Sequence, residues 1–128
     1  MAEDIVANCR IFHFGSLSLT HEPARSATRF AADMARSSGA VVSFDPNLRP
    51  RLWDELGEAK GQIHGGCSFC DVLKISDDEW YFVSDKSDME EGIAWLRENC
   101  PQIKLLFVTK GQKGAVGVWG DYVSEQPG

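Results

Sequence analysis

Three short stretches place charged and polar side chains where the chain leaves a strand. Each has chemistry suited to holding a phosphate. The first is Asp45-Pro46-Asn47-Leu48-Arg49, a carboxylate, an amide and a guanidinium directly after the apolar run Val41 to Phe44. Pro46 ends the strand because it lacks the donor that a ladder needs. Arg49 presents a planar fork that matches phosphate oxygens and stays charged at working pH. An ion pair of Arg49 with Asp45 or Asp54 is the competing reading, and the spacing does not choose between them. Arg51 is the nearest alternative cation and is expected to be solvated.

The second stretch is Lys74-Ile75-Ser76-Asp77-Asp78-Glu79. Backbone donors at a helix start attract anions, and a carboxylate one turn in can hold water around magnesium, which keeps much of its hydration shell on a protein. Ser76 and Glu79 also have the spacing of a plain capping box, which is common and needs no ligand. The third stretch is Thr109-Lys110-Gly111-Gln112-Lys113-Gly114. Its two glycines let the backbone turn and aim N–H groups at an anion. It lacks the G-x-x-x-x-G-K-S/T wording of a Walker loop, and an ordinary Gly-rich turn between strands reads the same way.

The elements that must position these loops follow from hydrophobic periodicity. Ile11 to Phe14 reads as a strand, followed by Gly15-Ser16 and Leu17 to Leu19. Thr20 is expected to cap a helix with Glu22 and Pro23 in its first turn, running to about Ser38 and stopping at Gly39. Ala24, Ala27, Phe30, Ala31, Met34 and Ala35 recur at three- and four-residue spacing and predict its apolar face, leaving Arg25, Arg29, Asp33 and Arg36 in solvent. With the strand Val41 to Phe44, this makes a βαβ unit with parallel strands and a right-handed crossover. Asp54 is expected to cap a helix through about His64, although Gly57, Gly61, Gly65 and Gly66 oppose it on propensity.

Val72 to Ile75 predicts the third strand, and Ser76 opens a short helix holding Trp80 to Val83. Ser87 to Glu90 is read as a second capping box, starting a helix with Met89, Ile93 and Leu96 on one face and an end near Asn99. Leu105 to Val108 is an apolar run suited to a sheet covered on both faces. Ala115 to Trp119 and a strand from Tyr122 form a hairpin around Gly120-Asp121. No repeat, low-complexity tract or interdomain linker interrupts these elements.

The 128 residues suffice for one modest domain, and 43% hydrophobic content fits a globular core. With 19 acidic against 13 basic residues the net charge is -6, which argues against nucleic-acid and anionic-membrane partners. No apolar run approaches the ~20 residues of a spanning helix. The opening ten residues lack a signal-peptide pattern, so a cytoplasmic location with reduced thiols is expected. Cys67-Ser-Phe-Cys70 has C-x-x-C spacing, but it precedes a strand where a thioredoxin-like motif would follow one. Cys9 and Cys100 do not form the second pair of a zinc site, and partly buried structural thiols are the expectation.

Taken together and in order, four stretches resemble the ribokinase-like (PfkB) carbohydrate kinases, and among them most closely bacterial fructokinases. They are Ile11 to Leu19, Val42 to Trp53 (Val-Ser-Phe-Asp-Pro-Asn-Leu-Arg-Pro-Arg-Leu-Trp), Cys70 to Glu79 and Val108 to Ala115. The resemblance covers nearly the whole chain. It implies a three-layer αβα sandwich with a mostly parallel sheet, ending in a small β-hairpin. It also implies ATP- and magnesium-dependent phosphate transfer to a sugar hydroxyl. By that match Asp45 and Asn47 shape the substrate end and Arg49 stabilises phosphate charge. Glu79 would organise magnesium through water. Lys74, Ser76, Thr109, Lys110, Gly111, Gln112, Lys113 and Gly114 would line the nucleotide end. Ser76 stands where the family pattern has Asn.

The resemblance also implies that residues 1–128 form a central segment. The family's N-terminal lid and sugar-contacting Gly-Gly region has no counterpart here, and Met1 would be an internal start. No Gly-Ala-Gly-Asp, the family motif that supplies the base, occurs in the chain. Phosphoryl transfer rests on positioning and electrostatics, so half a site should be a very poor catalyst. The expectation is a fragment of a sugar kinase, inactive alone, taking fructose or a related sugar and ATP. The alternative is a noncatalytic binding or scaffold protein that keeps a kinase-like core. Open sheet edges predict poor solubility of the isolated chain.

Overall fold

The computed structural model describes residues 2–128. These residues form five α-helices and six strands, in the order α1 (Ala2–Asn8), β1 (Ile11–Gly15), α2 (Ala24–Ser37), β2 (Val41–Asp45), α3 (Leu56–Phe69), β3 (Val72–Ser76), α4 (Asp77–Ser84), α5 (Met89–Asn99), β4 (Leu105–Thr109), β5 (Ala115–Trp119) and β6 (Tyr122–Gln126). The sheet runs in sequence order, β1 to β6. The first four strands are parallel and the last two antiparallel. The mostly parallel sheet and its terminal hairpin are as expected, with Trp119 opposite Tyr122 across the Gly120-Asp121 turn.

The strand order decides where the core sits. Neighbouring parallel strands joined in sequence by right-handed crossovers must carry all their connecting helices on one face. Phe14, Val42, Phe44, Leu73, Ile75, Leu106, Val108, Val116 and Val118 point to that face and are all buried. The alternate residues point the other way, and Ile11, Val41, Phe107, Trp119 and Tyr122 are exposed there. β4 is therefore covered on one face only, contrary to the reading of its apolar run. Among the described residues the helices form a single layer.

Several boundaries differ from the periodicity, each for a local reason. Thr20 does not cap α2: its hydroxyl donates to the Leu17 carbonyl at 2.8 Å and closes a 3-10 turn. The helix starts after Pro23, and the Glu22 carboxylate takes the capping role by accepting the Ser26 amide at 2.9 Å. Gly39, at φ +90°, ends the turn after α2 as expected. The buried residues of α2 are Ala32 and Ala35, while Phe30 is 59% exposed. Arg29 and Arg36 are exposed as expected, yet they donate to Gln62 and to the Phe69 carbonyl of α3, while Arg25 is half-buried and pairs with Glu58. For α5 the cap is Asp88, one residue after the expected Ser87, and its carboxylate accepts the Glu91 amide at 3.3 Å.

α3 begins after Glu55 and runs five residues beyond His64. The glycines that opposed it on propensity explain its position. A Cβ on Gly66 would lie 2.6 Å from two ring atoms of Phe44, and one on Gly65 3.0 Å from Arg29. These glycines let α3 settle onto β2 and α2, and that packing outweighs about 1 kcal/mol per glycine of lost helix propensity.

Candidate functional site

The parallel strands end along one line. Gly15 pairs with Asp45 across β1 and β2, Phe44 with Leu73 across β2 and β3, and Ser76 with Thr109 across β3 and β4. All three loops singled out in the sequence therefore emerge at the carboxyl edge of the sheet, where α/β folds bind ligands. At ~4.8 Å per strand spacing, the first and third are about 10 Å apart.

The loop after β2 is held at several points. Gly15 has no side chain to obstruct its neighbour, and a Cβ there would meet the Asp45 carbonyl at 3.0 Å. The buried Ser16 donates both its amide, at 3.0 Å, and its hydroxyl to the Pro46 carbonyl. Asp45 accepts the Asn47 amide at 3.1 Å on one oxygen and lies 3.3 Å from Lys74 Nζ on the other. Asn47 adopts φ +44°, a left-handed conformation that Asn tolerates better than most residues. This turns the chain toward α4, where the Leu48 amide donates to Glu79 Oε2 at 2.6 Å.

Arg49 is exposed, and its guanidinium makes one weak contact, to the Leu48 carbonyl at 3.4 Å. Neither acid weighed as its partner takes that role: Asp45 is paired with Lys74, and Asp54 lies 3.8 Å from His21. Arg49 stands between two clefts and lines both. One, of about 720 Å³, is walled by His13, Ser16, Leu17, Asp45 and Asn47. The other, of about 440 Å³, is walled by Leu48, Ser76, Asp78, Glu79 and Phe82. Sequence reasoning missed His13, whose Nδ1 lies 3.1 Å from Ser43 Oγ on the open face. The only available signal was the strand periodicity that puts both on that face. Arg51 is exposed as expected and also lines the larger cleft.

Ser76 and Glu79 do form the capping box. The Glu79 amide donates to the Ser76 hydroxyl at 3.3 Å, and the Ser76 amide to Glu79 Oε1 at 3.1 Å. In the third loop Gly111 (φ +57°) and Gly114 (φ +102°) supply the turn. The Lys113 and Gly114 amides bond the Lys110 and Gly111 carbonyls, so they close the turn from within. Lys110 is paired with Glu125 at 2.6 Å, which leaves Lys113 as the exposed, unpaired cation of the loop.

Cys67 and Cys70 are fully buried around the end of α3. Burial pushes the Cys67 thiol well up and the Cys70 thiol to about 12. A buried neutral thiol is inert because the thiolate is the nucleophile. We expect a thiol reagent near about pH 8 to label Cys9, which is only half-buried, long before Cys67 or Cys70. Equal labelling rates in the folded chain would contradict this packing. The sign for stability follows from the raised values. The contribution is complete below the unfolded thiol value of about 8.5 and falls as pH rises toward the folded value of Cys70. Among the described residues no group of three or more His, Cys, Asp and Glu converges as a metal-ligand set, and no helix is long and apolar enough to cross a membrane.

Residues 1–127 match the family model described as pfkB family carbohydrate kinase. Fructokinase-2 of Solanum lycopersicum is 42% identical over 113 residues, 87% of this chain and 34% of that protein. The structure of Vibrio cholerae O395 fructokinase bound to fructose, ADP and calcium superposes with a TM-score of 0.85 at 33% identity, over 92% of this chain and 38% of that one. Xylella fastidiosa fructokinase with bound ATP gives 0.85 at 28% identity, over 98% and 40%. The chain thus spans about a third of the length of the curated relatives it matches.

Proposed function

The chain belongs to the pfkB family of carbohydrate kinases, and from that premise we propose that it forms the central part of an ATP-dependent sugar kinase. The reaction is transfer of the γ-phosphoryl group of ATP to a hydroxyl of fructose or a related sugar. The observation that carries this reading is Arg49, a cation without an acidic partner at the junction of two clefts, on a loop whose other members are fixed. An unpaired guanidinium on a rigid support suits the charge that spreads over a transferring phosphoryl group.

The roles divide along the sheet edge. Asp45 and Asn47 face the larger cleft and would bind sugar hydroxyls, with the Asp45 carboxylate oriented by Lys74. Ser76, Thr109, Gly111, Gln112, Lys113 and Gly114 would hold the nucleotide. Lys74 and Lys110 reach it less directly, since each already faces a carboxylate. Magnesium fits an outer-sphere position. Each Glu79 oxygen accepts one backbone N–H, and a carboxylate has about four acceptor sites, so lone pairs remain for metal-bound water. When bound, the ion supplies charge neutralisation between phosphates.

These 128 residues include no Gly-Ala-Gly-Asp, the motif that by the family resemblance supplies the base for the sugar hydroxyl. Asp45, which lines the larger cleft, already pairs with Lys74 and accepts the Asn47 amide. The purified chain is therefore expected to bind ATP weakly and to show no turnover in a coupled assay with ATP, magnesium and fructose. Turnover would refute the inactivity. Absence of heat in calorimetry with ATP on the order of millimolar would remove the nucleotide site.

A further inference from the structure

The Glu79 carboxylate joins two segments 31 residues apart through backbone donors: the Ser76 amide at 3.1 Å on Oε1 and the Leu48 amide at 2.6 Å on Oε2. A capping box needs only the first of these bonds. The second lies outside the helix it caps and falls on the residue immediately before Arg49. Leu48 is partly buried and packs against the core, so its amide has little access to water if the carboxylate is removed. The start of the loop is fixed independently, by Ser16 on Pro46 and by Lys74 on Asp45. Beyond Pro46 the chain takes the left-handed turn at Asn47. Between that turn and the proline at residue 50, the Leu52 amide holds the Arg49 carbonyl locally at 3.0 Å, and the bond to Glu79 ties the stretch to an element distant in sequence.

We infer that Glu79 is a positioning residue, which through the Leu48 amide sets where the Arg49 guanidinium stands relative to the start of α4. The bond is charge-assisted, hence stronger and more directional than a neutral one. It sits at the boundary of the two clefts that Arg49 lines, so a shift of the loop would move the cation toward one cleft and away from the other. The same carboxylate would thus register the phosphate-facing cation against the helix that flanks the nucleotide end. That Arg49 meets a phosphate rests on the function proposed above; the tie between Glu79 and Leu48 does not.

The test is amide exchange and chemical shift in the 15N-labelled chain, with inorganic phosphate as the probe. In the parent, the Leu48 amide should exchange about 10-fold or more slowly than that of Arg49, as expected for a donor to a carboxylate. Glu79→Ala, which leaves no acceptor, should erase that difference and weaken the phosphate-induced shifts of the loop, whereas Arg49→Ala should abolish those shifts and leave Leu48 protected. A Leu48 amide equally protected in Glu79→Ala would overturn the inference. If Glu79→Ala does not fold, the parent decides alone: Leu48 exchanging as fast as Arg49 overturns the tie. A protected Leu48 in a loop that shows no shift with phosphate supports the tie and overturns the kinase reading instead.

Discussion

Replacing Trp80 by alanine is expected to cost about 3–5 kcal/mol, a large part of the about 5–15 kcal/mol that holds a domain folded. Trp80 is the largest of the fully buried side chains. Its indole lies against Gly92 of α5, where any added Cβ would overlap it, and meets the Trp95 ring edge-on at 6.2 Å. Removing it empties the contact between α4 and α5, and neither backbone can close in to refill the space. The indole Nε1 has no hydrogen-bond partner. Trp80→Phe should therefore lose far less, under about 1.5 kcal/mol, because it also removes an N–H whose burial is unfavourable. Urea denaturation would measure both as shifts in midpoint at unchanged slope. An alanine variant within about 1 kcal/mol of the parent would show that this contact is not central. Because Glu79 precedes Trp80, a loosened α4 should also release the Leu48 amide.

Arg49→Ala should behave in the opposite way, with binding lost and stability kept. Arg49 is exposed and makes no ion pair, so its removal should change stability within about 0.5 kcal/mol. A charge-assisted contact to a phosphate is worth about 1.5–3 kcal/mol, so affinity for ATP should fall roughly 10- to 100-fold. Arg49→Lys should restore part of it, since an ammonium keeps the charge but not the planar fork. Arg51→Ala should matter less, because Arg51 lines only the larger cleft. Calorimetric titration with ATP makes the comparison. Equal affinities in parent and Arg49→Ala would remove Arg49 from the phosphate site.

The two substitutions mark how differently core and site could be read. The Ser76–Glu79 box was legible because both partners lie within one helical turn and their spacing is the signal. Its second use, holding Leu48, was not, because nothing local connects residues 48 and 79. Arg49 could be weighed as a phosphate ligand or an ion-pair partner, but the choice depended on which cations reach Asp45. Lys74 reaches it only because β2 and β3 are adjacent and in register. Likewise Lys110 looked like a free charge until the return of β6 put Glu125 beside it.

What the amino-acid sequence determined by itself was the set of elements from β1 onward, with α1 missed, and the order of the three loops. Strand alternation, helical spacing, capping boxes and turn residues act over a few positions, so they survive without tertiary context. Only the tertiary structure decided the partners. It extended α3 through glycines that propensity opposed, because Phe44 leaves no room for a side chain at Gly66. It gave the α2 arginines partners on α3, with Arg25 half-buried against Glu58 and Arg29 and Arg36 still exposed. It gathered the helices on one face of the sheet, leaving Arg49 without a carboxylate at the edge where the loops meet. Those outcomes depend on contacts between residues far apart in the chain, such as Arg29 and Gln62, and such separations carry no periodic signal in a single sequence.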